Sequence, residues 1–320
     1  MIQKTICLSS VTHVDQFIGK GQLVAFNAGP DGITYFVMAL EPLDYKEVSQ
    51  GGAGFPKTIP DKPQLYRVVG MSGARIVLDV MIEDEHFNIH HVQPLSNELL
   101  LVCARSRYHG PDNFEKNGRI YTRSGKFARE ILLGDGIRSV QATASGTIWT
   151  SYFDEGIFGS YGWDDSDPVG ASGLVAWDAA GNKLYSFRPC GGLAWIDDCY
   201  ALNVASENDV WLYYYSQFPL VHLYDRQIQS FWKVPLQGSS AFAVSAGYAL
   251  FCGGYGDRDT YHLFSIDEGK DPTLLATITL QDRNGEMLKA NSAVGRADVI
   301  YFISSNGFVY RFDVHTALAG

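Results

Sequence analysis

His90, Arg138 and Tyr200 are the residues of this sequence best equipped for chemistry, and each stands eleven positions before a bulky apolar residue, Leu101, Trp149 and Trp211. An imidazole titrates near neutrality and serves as acid, base or hydrogen-bond donor. A guanidinium holds a carboxylate or phosphate through two parallel hydrogen bonds, and a phenol donates or accepts one. Together they would make either a proton-transfer site with an anion clamp or a cradle for a polar ligand. The competing reading has His90 and His91 packed between structural units, with Arg138 paired to a loop acid such as Asp135 or Asp154.

A second column lies eight residues before the same bulky positions: Asn27, Gln93, Gln141 and Asn203, followed by Ala243 and Ala293. Carboxamides both donate and accept, so this column would line a polar ligand or a string of ordered water. Asp154 and Glu155 leave a strand near the point where Arg138 enters one, and would either pair with that arginine or share a ligand with it. Asp164, Asp165 and Asp167 precede Pro168 and read as solvated loop acids. Phe55, Phe158, Tyr161 and Trp163 fall in long loops and would give them an aromatic rim suited to a sugar, a peptide or a protein.

Other candidates are weaker. Cys199 adjoins Tyr200, but no spacing brings a base to its thiol. The loop Gly51 to Pro56 lacks the Lys-Ser/Thr pair and following helix of a phosphate cradle, and reads as a lid or a surface excursion. No G-x-S-x-G, H-E-x-x-H or P-loop motif is present. His86 and His90, four apart, would be roughly 13 Å from each other in an extended chain, too far to share an ion without a turn.

The elements that must position these side chains come from a repeat. AFNAGPDGITYF, HVQPLSNELLLV, SVQATASGTIWT, ALNVASENDVWL, AFAVSAGYALFC and NSAVGRADVIYF share one spacing, with Tyr35, Leu101, Trp149, Trp211, Phe251 and Tyr301 as anchors. Each is followed by a second apolar run ending in a turn, and five by a further alternating strand. Four short strands per unit, punctuated by Gly, Asn and Asp, is the pattern of a propeller blade. The spacing predicts an all-β, six-bladed β-propeller occupying residues 1–320 as a single domain. The sixth unit lacks a fourth strand, and the N-terminal QKTICLSS, within a strand of about residues 2–10, is expected to supply it and close the last blade. Extra length falls at Glu41 to Lys62, Ser106 to Asn117 and Phe153 to Ser172, in three consecutive units, and such loops carry function more often than the strands they join.

Composition bounds the rest. Hydrophobic residues make up 46% of the 320 residues and charged residues 19%, the balance of a chain with a large core. A net charge of −10 excludes broad, phosphate-driven nucleic-acid binding and favours a cationic partner. No apolar run reaches the length of a signal peptide core or a membrane span, and the five cysteines lack a C-x-x-C pair, so a cytoplasmic protein with reduced thiols is expected.

SVQATASGTIWTSY resembles the blade start, and GLVAWDAAGNKLYSF the following hairpin, of the six-bladed superfamily of NHL-repeat proteins and gluconolactonase-like hydrolases. That resemblance covers nearly the whole chain and implies a divalent metal held by Asn and Asp at the tops of inner strands, about eleven residues before each anchor. Those positions here are Val24, His90, Arg138, Tyr200, Ser240 and Ala290, and none is a carboxylate or amide. Asp198 is the nearest acid, whereas a hard cation takes six or more oxygens. No metal ligand and no cofactor is therefore expected. Two functions remain open. One is a non-enzymatic module binding a peptide, a protein or a small polar or anionic ligand at the long-loop face and channel mouth. The alternative is a hydrolase or lyase of the six-bladed type, with His90 and Tyr200 moving protons and Arg138 stabilising an anion.

Overall fold

The computed structural model describes residues 2–19, 21–48, 52 and 54–319. The fold is all-β, with six four-stranded blades in sequence order, a six-bladed β-propeller. Two compact units divide it, Phe17–Phe187, and Met1–Gln16 with Arg188–Gly320.

In the unit Phe17–Phe187 the first blade comprises Gln22–Ala28, Thr34–Ala39, Gln64–Ser72 and Arg75–Glu85. The second comprises His91–Leu95, Glu98–Val102, Gly118–Thr122 and Phe127–Ile131. The third comprises Ile137–Ala142, Ile148–Tyr152, Leu174–Trp177 and Lys183–Ser186. Strand position explains composition. The second strand Thr34–Ala39 is buried throughout and is continuously apolar after its first residue. The outer strand Arg75–Glu85 alternates, burying Leu78, Val80 and Ile82 and exposing the residues between. The core lies between blades: Val37, Tyr66 and Val80 pack with Val92, Leu99 and Leu101 of the next blade.

In the other unit the blades are Asp198–Val204, Asp209–Tyr215, Pro219–Tyr224 and Gln227–Lys233; then Ala241–Ser245, Tyr248–Cys252, Thr260–Ser265 and Thr273–Gln281; then Ala290–Arg296, Val299–Ser304 and Phe308–Asp313. An N-terminal strand closes the last blade, but it is not QKTICLSS. Thr12–His13 pairs antiparallel with Val309 and Phe308 as the fourth strand. Ile2–Cys7 instead runs parallel to Ala276–Gln281, as a fifth strand on the preceding blade. The open edge of the fifth blade is a template for such pairing, and the six residues Ile2–Cys7 occupy it. Ile6 and Leu8 join that blade's core, and the Lys4 ammonium donates to Ala317 O at 3.1 Å, a last-turn carbonyl of the helix Val314–Ala319. Among the described residues no helix is long and apolar enough to cross a membrane.

Candidate functional site

The three long loops of the unit Phe17–Phe187 are braced against one another, and the brace is centred on Arg105. This residue follows the second strand of the second blade, where the chain turns into the loop Ser106 to Asn117. Its Nε and Nη2 donate to the two oxygens of Asp135 at 2.9 Å each. Nη1 lies 2.5 Å from Glu155, and Nη2 reaches Ser160 Oγ at 3.3 Å. Asp135 precedes the third blade, whereas Glu155 sits in the short helix Asp154–Phe158 that opens the third long loop.

Burial opposes the Arg105 charge, but Asp135 and Glu155 outweigh it and hold its pKa above the ordinary value. Burial pushes the Asp135 carboxyl up to about 6, still below neutrality, while Arg105 and the backbone N–H of Ser106 draw it down. The two parallel hydrogen bonds from the guanidinium favour the ionised carboxylate.

Tyr161 lies between two arginines, its ring centroid 4.2 Å from the Arg105 guanidinium carbon and 4.9 Å from that of Arg107. Such contacts contribute about 0.5–2 kcal/mol, more as they are desolvated. The Tyr161 hydroxyl donates to Pro56 O at 2.6 Å, tying the third loop to the first. Arg107 pairs with Glu47, and Thr58 donates to Glu115 at 3.1 Å, tying the first loop to the second. Trp163 Nε1 donates to Ser106 O at 2.8 Å, and the indole packs on Tyr108 at 4.9 Å, tying the second to the third. Gly162 permits that last approach: its φ is +88°, and a Cβ there would lie 2.3 Å from Tyr108 O.

The expected aromatic rim is thus partly corrected. Trp163 is buried and anchors a loop, and Tyr161 is half-buried in the brace. Phe55 and Phe158 are exposed, as is Val48, on the hairpin Lys46–Val48 and Gly54–Pro56. Gly51 and Ala53 of the glycine-rich loop lie outside the described residues. Glu155 does meet an arginine, but Arg105 and not Arg138, and Asp135 is held by the same partner. Asp154 is exposed and accepts from the Glu155 N–H at 2.8 Å.

The column eleven residues before the anchors has its own local geometry. Strand pairing skips Val24, Arg138 and Tyr200, each the extra residue of a β-bulge in its inner strand. A bulge breaks the two-residue alternation and re-aims the side chain it carries. Arg138 is exposed and makes no side-chain hydrogen bond or ion pair among the described residues. His90 precedes its inner strand, stacks on Tyr45 at 5.1 Å, and accepts the Ala104 N–H on Nδ1 at 3.2 Å. Burial lowers its pKa to about 4 and that of His91 to about 3. Tyr200, in the other unit, shares a hydrogen bond with the Tyr255 hydroxyl and packs edge-on against Phe218 at 5.3 Å. Cys199 beside it is buried.

The carboxamides hold backbone. Asn27 Nδ2 donates to Val140 O at 2.9 Å, and Gln93 donates to Ala28 O at 3.2 Å while accepting from the Ala142 N–H at 3.0 Å. Within that unit the inner strands of the first, second and third blades are therefore stapled directly. In the other unit Asn203 donates to Phe242 O and Ala297 O at 2.9 Å and accepts from the Ala297 N–H at 2.7 Å. Gly295 makes that close approach feasible, since a Cβ there would lie 1.8 Å from Phe242 O. Gln141 is buried as well. Asn27, Gln93 and Asn203 accordingly staple inner strands through main-chain hydrogen bonds.

Sequence reasoning missed Arg105, Arg107, Glu47 and Glu115. The available signal was the charged run Ala104-Arg-Ser-Arg107 immediately after the apolar strand Glu98–Val102, where a loop face begins.

Comparison with known proteins adds likenesses of limited extent. The model of the YxzG family matches residues 175–311, fewer than half of the chain. No curated protein sequence matches it. A chain of a mitotic checkpoint complex superposes with a TM-score of 0.49 at 6% identity, over 91% of this chain and 87% of that one. The WD40 propeller domain of Doa1 gives 0.45 at 9%, over 98% and 97%. A catalytically inactive virginiamycin B lyase from Staphylococcus aureus, crystallised with quinupristin, gives 0.49 at 9%, over 92% and 96%. At these identities and scores the likenesses say nothing about the site.

Proposed function

We propose that the chain is a binding module that receives a peptide or protein partner on the braced loops of its first three blades, without catalysing a reaction. The carrying observation is the brace itself. Arg105, Tyr161 and Trp163 join loops that would otherwise move independently, and a surface ordered in advance loses less entropy when a partner docks. On that frame Val48, Phe55 and Phe158 are 73, 46 and 66% exposed, apolar side chains available as contacts. The hydrolase or lyase reading has less support, because a histidine with a pKa near 4 is a weak base at neutral pH and its Nδ1 already accepts a backbone N–H.

Selection from a random peptide display library against the folded protein tests the reading. Enriched peptides should bind a Val48→Ser, Phe55→Ser, Phe158→Ser variant at least tenfold more weakly, with unchanged circular dichroism. Enrichment of nothing, or equal binding to both proteins, would sink it.

One observation favours a second occupant of this face. Arg138 is exposed on its bulge with no partner among the described residues, which suits a small carboxylate or phosphate. Arg138→Ala should then abolish binding of such an anion while leaving the melting temperature unchanged.

A further inference from the structure

Tyr200 stands near the start of the inner strand Asp198–Val204, where the bulge re-aims its side chain. Pairing of Asp198 with Tyr215 sets that end of the strand beside the last residue of Asp209–Tyr215. Phe218 leads into the third strand Pro219–Tyr224, and Tyr255 comes from the fifth blade, between Tyr248–Cys252 and Thr260–Ser265. The four rings meet at Phe218, whose centroid lies 5.3 Å from that of Tyr200, 5.7 Å from that of Tyr215 and 5.7 Å from that of Tyr255. All four belong to the unit containing Arg188–Gly320, whereas the braced loops belong to the other.

The hub is buried and two of the rings around it are not. Phe218 is 3% exposed, against 44% for Tyr215 and 59% for Tyr255. Phe218 holds φ at +54°, a left-handed conformation that a bulky side chain takes only at an energetic cost. Such strain persists where the surroundings over-determine it, and it gathers at ligand clamps.

Tyr255 is fixed at three points. Its N–H donates to Gln237 O at 2.9 Å, and its hydroxyl shares a hydrogen bond with that of Tyr200. Its ring lies on Gly238, where a Cβ would come within 2.3 Å of Cδ1, so only glycine permits the contact. A large exposed ring held in one place loses little entropy when a ligand settles on it.

The chemistry of this surface selects the ligand. A ring face with a phenol at its rim suits a molecule that is apolar on one side and hydroxylated at its edge. A phenol has one proton and two lone pairs, so the Tyr255 oxygen keeps capacity beyond its bond to Tyr200. Gln217, exposed between Tyr215 and Phe218 in sequence, adds an amide that both donates and accepts. Asp257 and Arg258, both exposed, follow Tyr255 with opposite charges, which favours neither an anion nor a cation. The rings of Tyr215 and Tyr255 are no further apart than twice their 5.7 Å distance from Phe218, the reach of a short oligosaccharide. A pyranose has the required shape, with C–H groups across its face and hydroxyls around its edge. A protein partner would instead need an apolar centre to fill, and the apolar centre here, Phe218, is already covered.

We propose that this cluster is a carbohydrate-binding platform, on which pyranose rings of a neutral glycan stack against Tyr255 and Tyr215 while their hydroxyls bond to the Tyr255 phenol and the Gln217 amide. No covalent step is involved.

Saturation-transfer NMR of the whole protein with cellohexaose, chitohexaose, maltohexaose and mannohexaose tests this. At least one of these sugars should receive saturation on its ring C–H protons, and its affinity should fall at least tenfold in Tyr215→Ser, Tyr255→Ser. Tyr255→Phe keeps the ring and loses the hydroxyl, and should weaken the same sugar about threefold; with Gln217→Ala it keeps the test decisive should the double variant fail to fold. The Val48→Ser, Phe55→Ser, Phe158→Ser variant should bind the sugar as wild type does, so this platform and the peptide reading stand or fall separately. Absence of transfer to all four sugars, or binding that survives both sets of variants unchanged, would overturn the proposal. So would a decaproline peptide that binds the cluster more tightly than every sugar, since that would assign it to a protein ligand.

Discussion

Arg105 and Asp135, thirty positions apart in sequence, face each other through two parallel hydrogen bonds of 2.9 Å, and both are almost fully buried. A buried pair of this kind is specific without being a net source of stability, since attraction between the charges is offset by their desolvation. Removing one partner is another matter.

Asp135→Ala leaves a buried guanidinium without its buried carboxylate, held by Glu155 and Ser160 at the edge of solvent, and should cost about 3–5 kcal/mol. Arg105→Met combined with Asp135→Leu should cost markedly less than the single change. Urea denaturation of the three proteins checks this. A loss below ~1 kcal/mol for Asp135→Ala would place the pair with ordinary surface bridges. Hydrogen exchange should localise the loosening to residues 106–117 and 153–172.

Asn203 makes three hydrogen bonds to backbone of two other blades. Asn203→Ala removes a donor to the buried Phe242 carbonyl and the acceptor of the Ala297 N–H, and should destabilise by roughly 1–3 kcal/mol. Thermal unfolding gives the answer. A variant as stable as wild type would show that the staple contributes nothing to stability.

The paired histidines give stability a direction in pH. In the fold His90 and His91 take up a proton only at about pH 4 and about pH 3, whereas an unfolded histidine does so near 6.5. Over that interval the unfolded chain binds more protons. Stability is therefore complete above about pH 6.5 and is lost progressively as pH falls towards about 4. His90→Gln, His91→Gln should flatten the slope of unfolding free energy in this window. A slope identical to wild type would assign it to other groups.

The N-terminus divides into two separable clasps. Deleting residues 2–7 removes the parallel edge strand of the fifth blade and should lower the melting temperature while the sixth blade stays closed. Deleting residues 2–13 also removes Thr12–His13 and should lower it further, with loss of exchange protection along Phe308–Asp313. Equal melting temperatures for the two deletions would show that the second clasp is idle.

The sequence by itself determined the repeat, and with it the blade count, the strands and the position of the long loops. Those are local properties, set by the alternation of apolar residues and by turn chemistry, and Trp149, Trp211 and their counterparts stand in second strands accordingly. Even the column of Arg138 and Tyr200 was visible as a spacing. Only the tertiary structure decided what those side chains meet. Arg105 takes the acids expected for Arg138, Asn27 and Asn203 reach main chain far along the sequence, and Thr12 instead of Thr5 closes the last blade. Each outcome is a competition among partners brought together by folding, where distance and desolvation select one donor over another of the same chemical type. A one-dimensional pattern states which groups exist and at what period; it carries neither quantity.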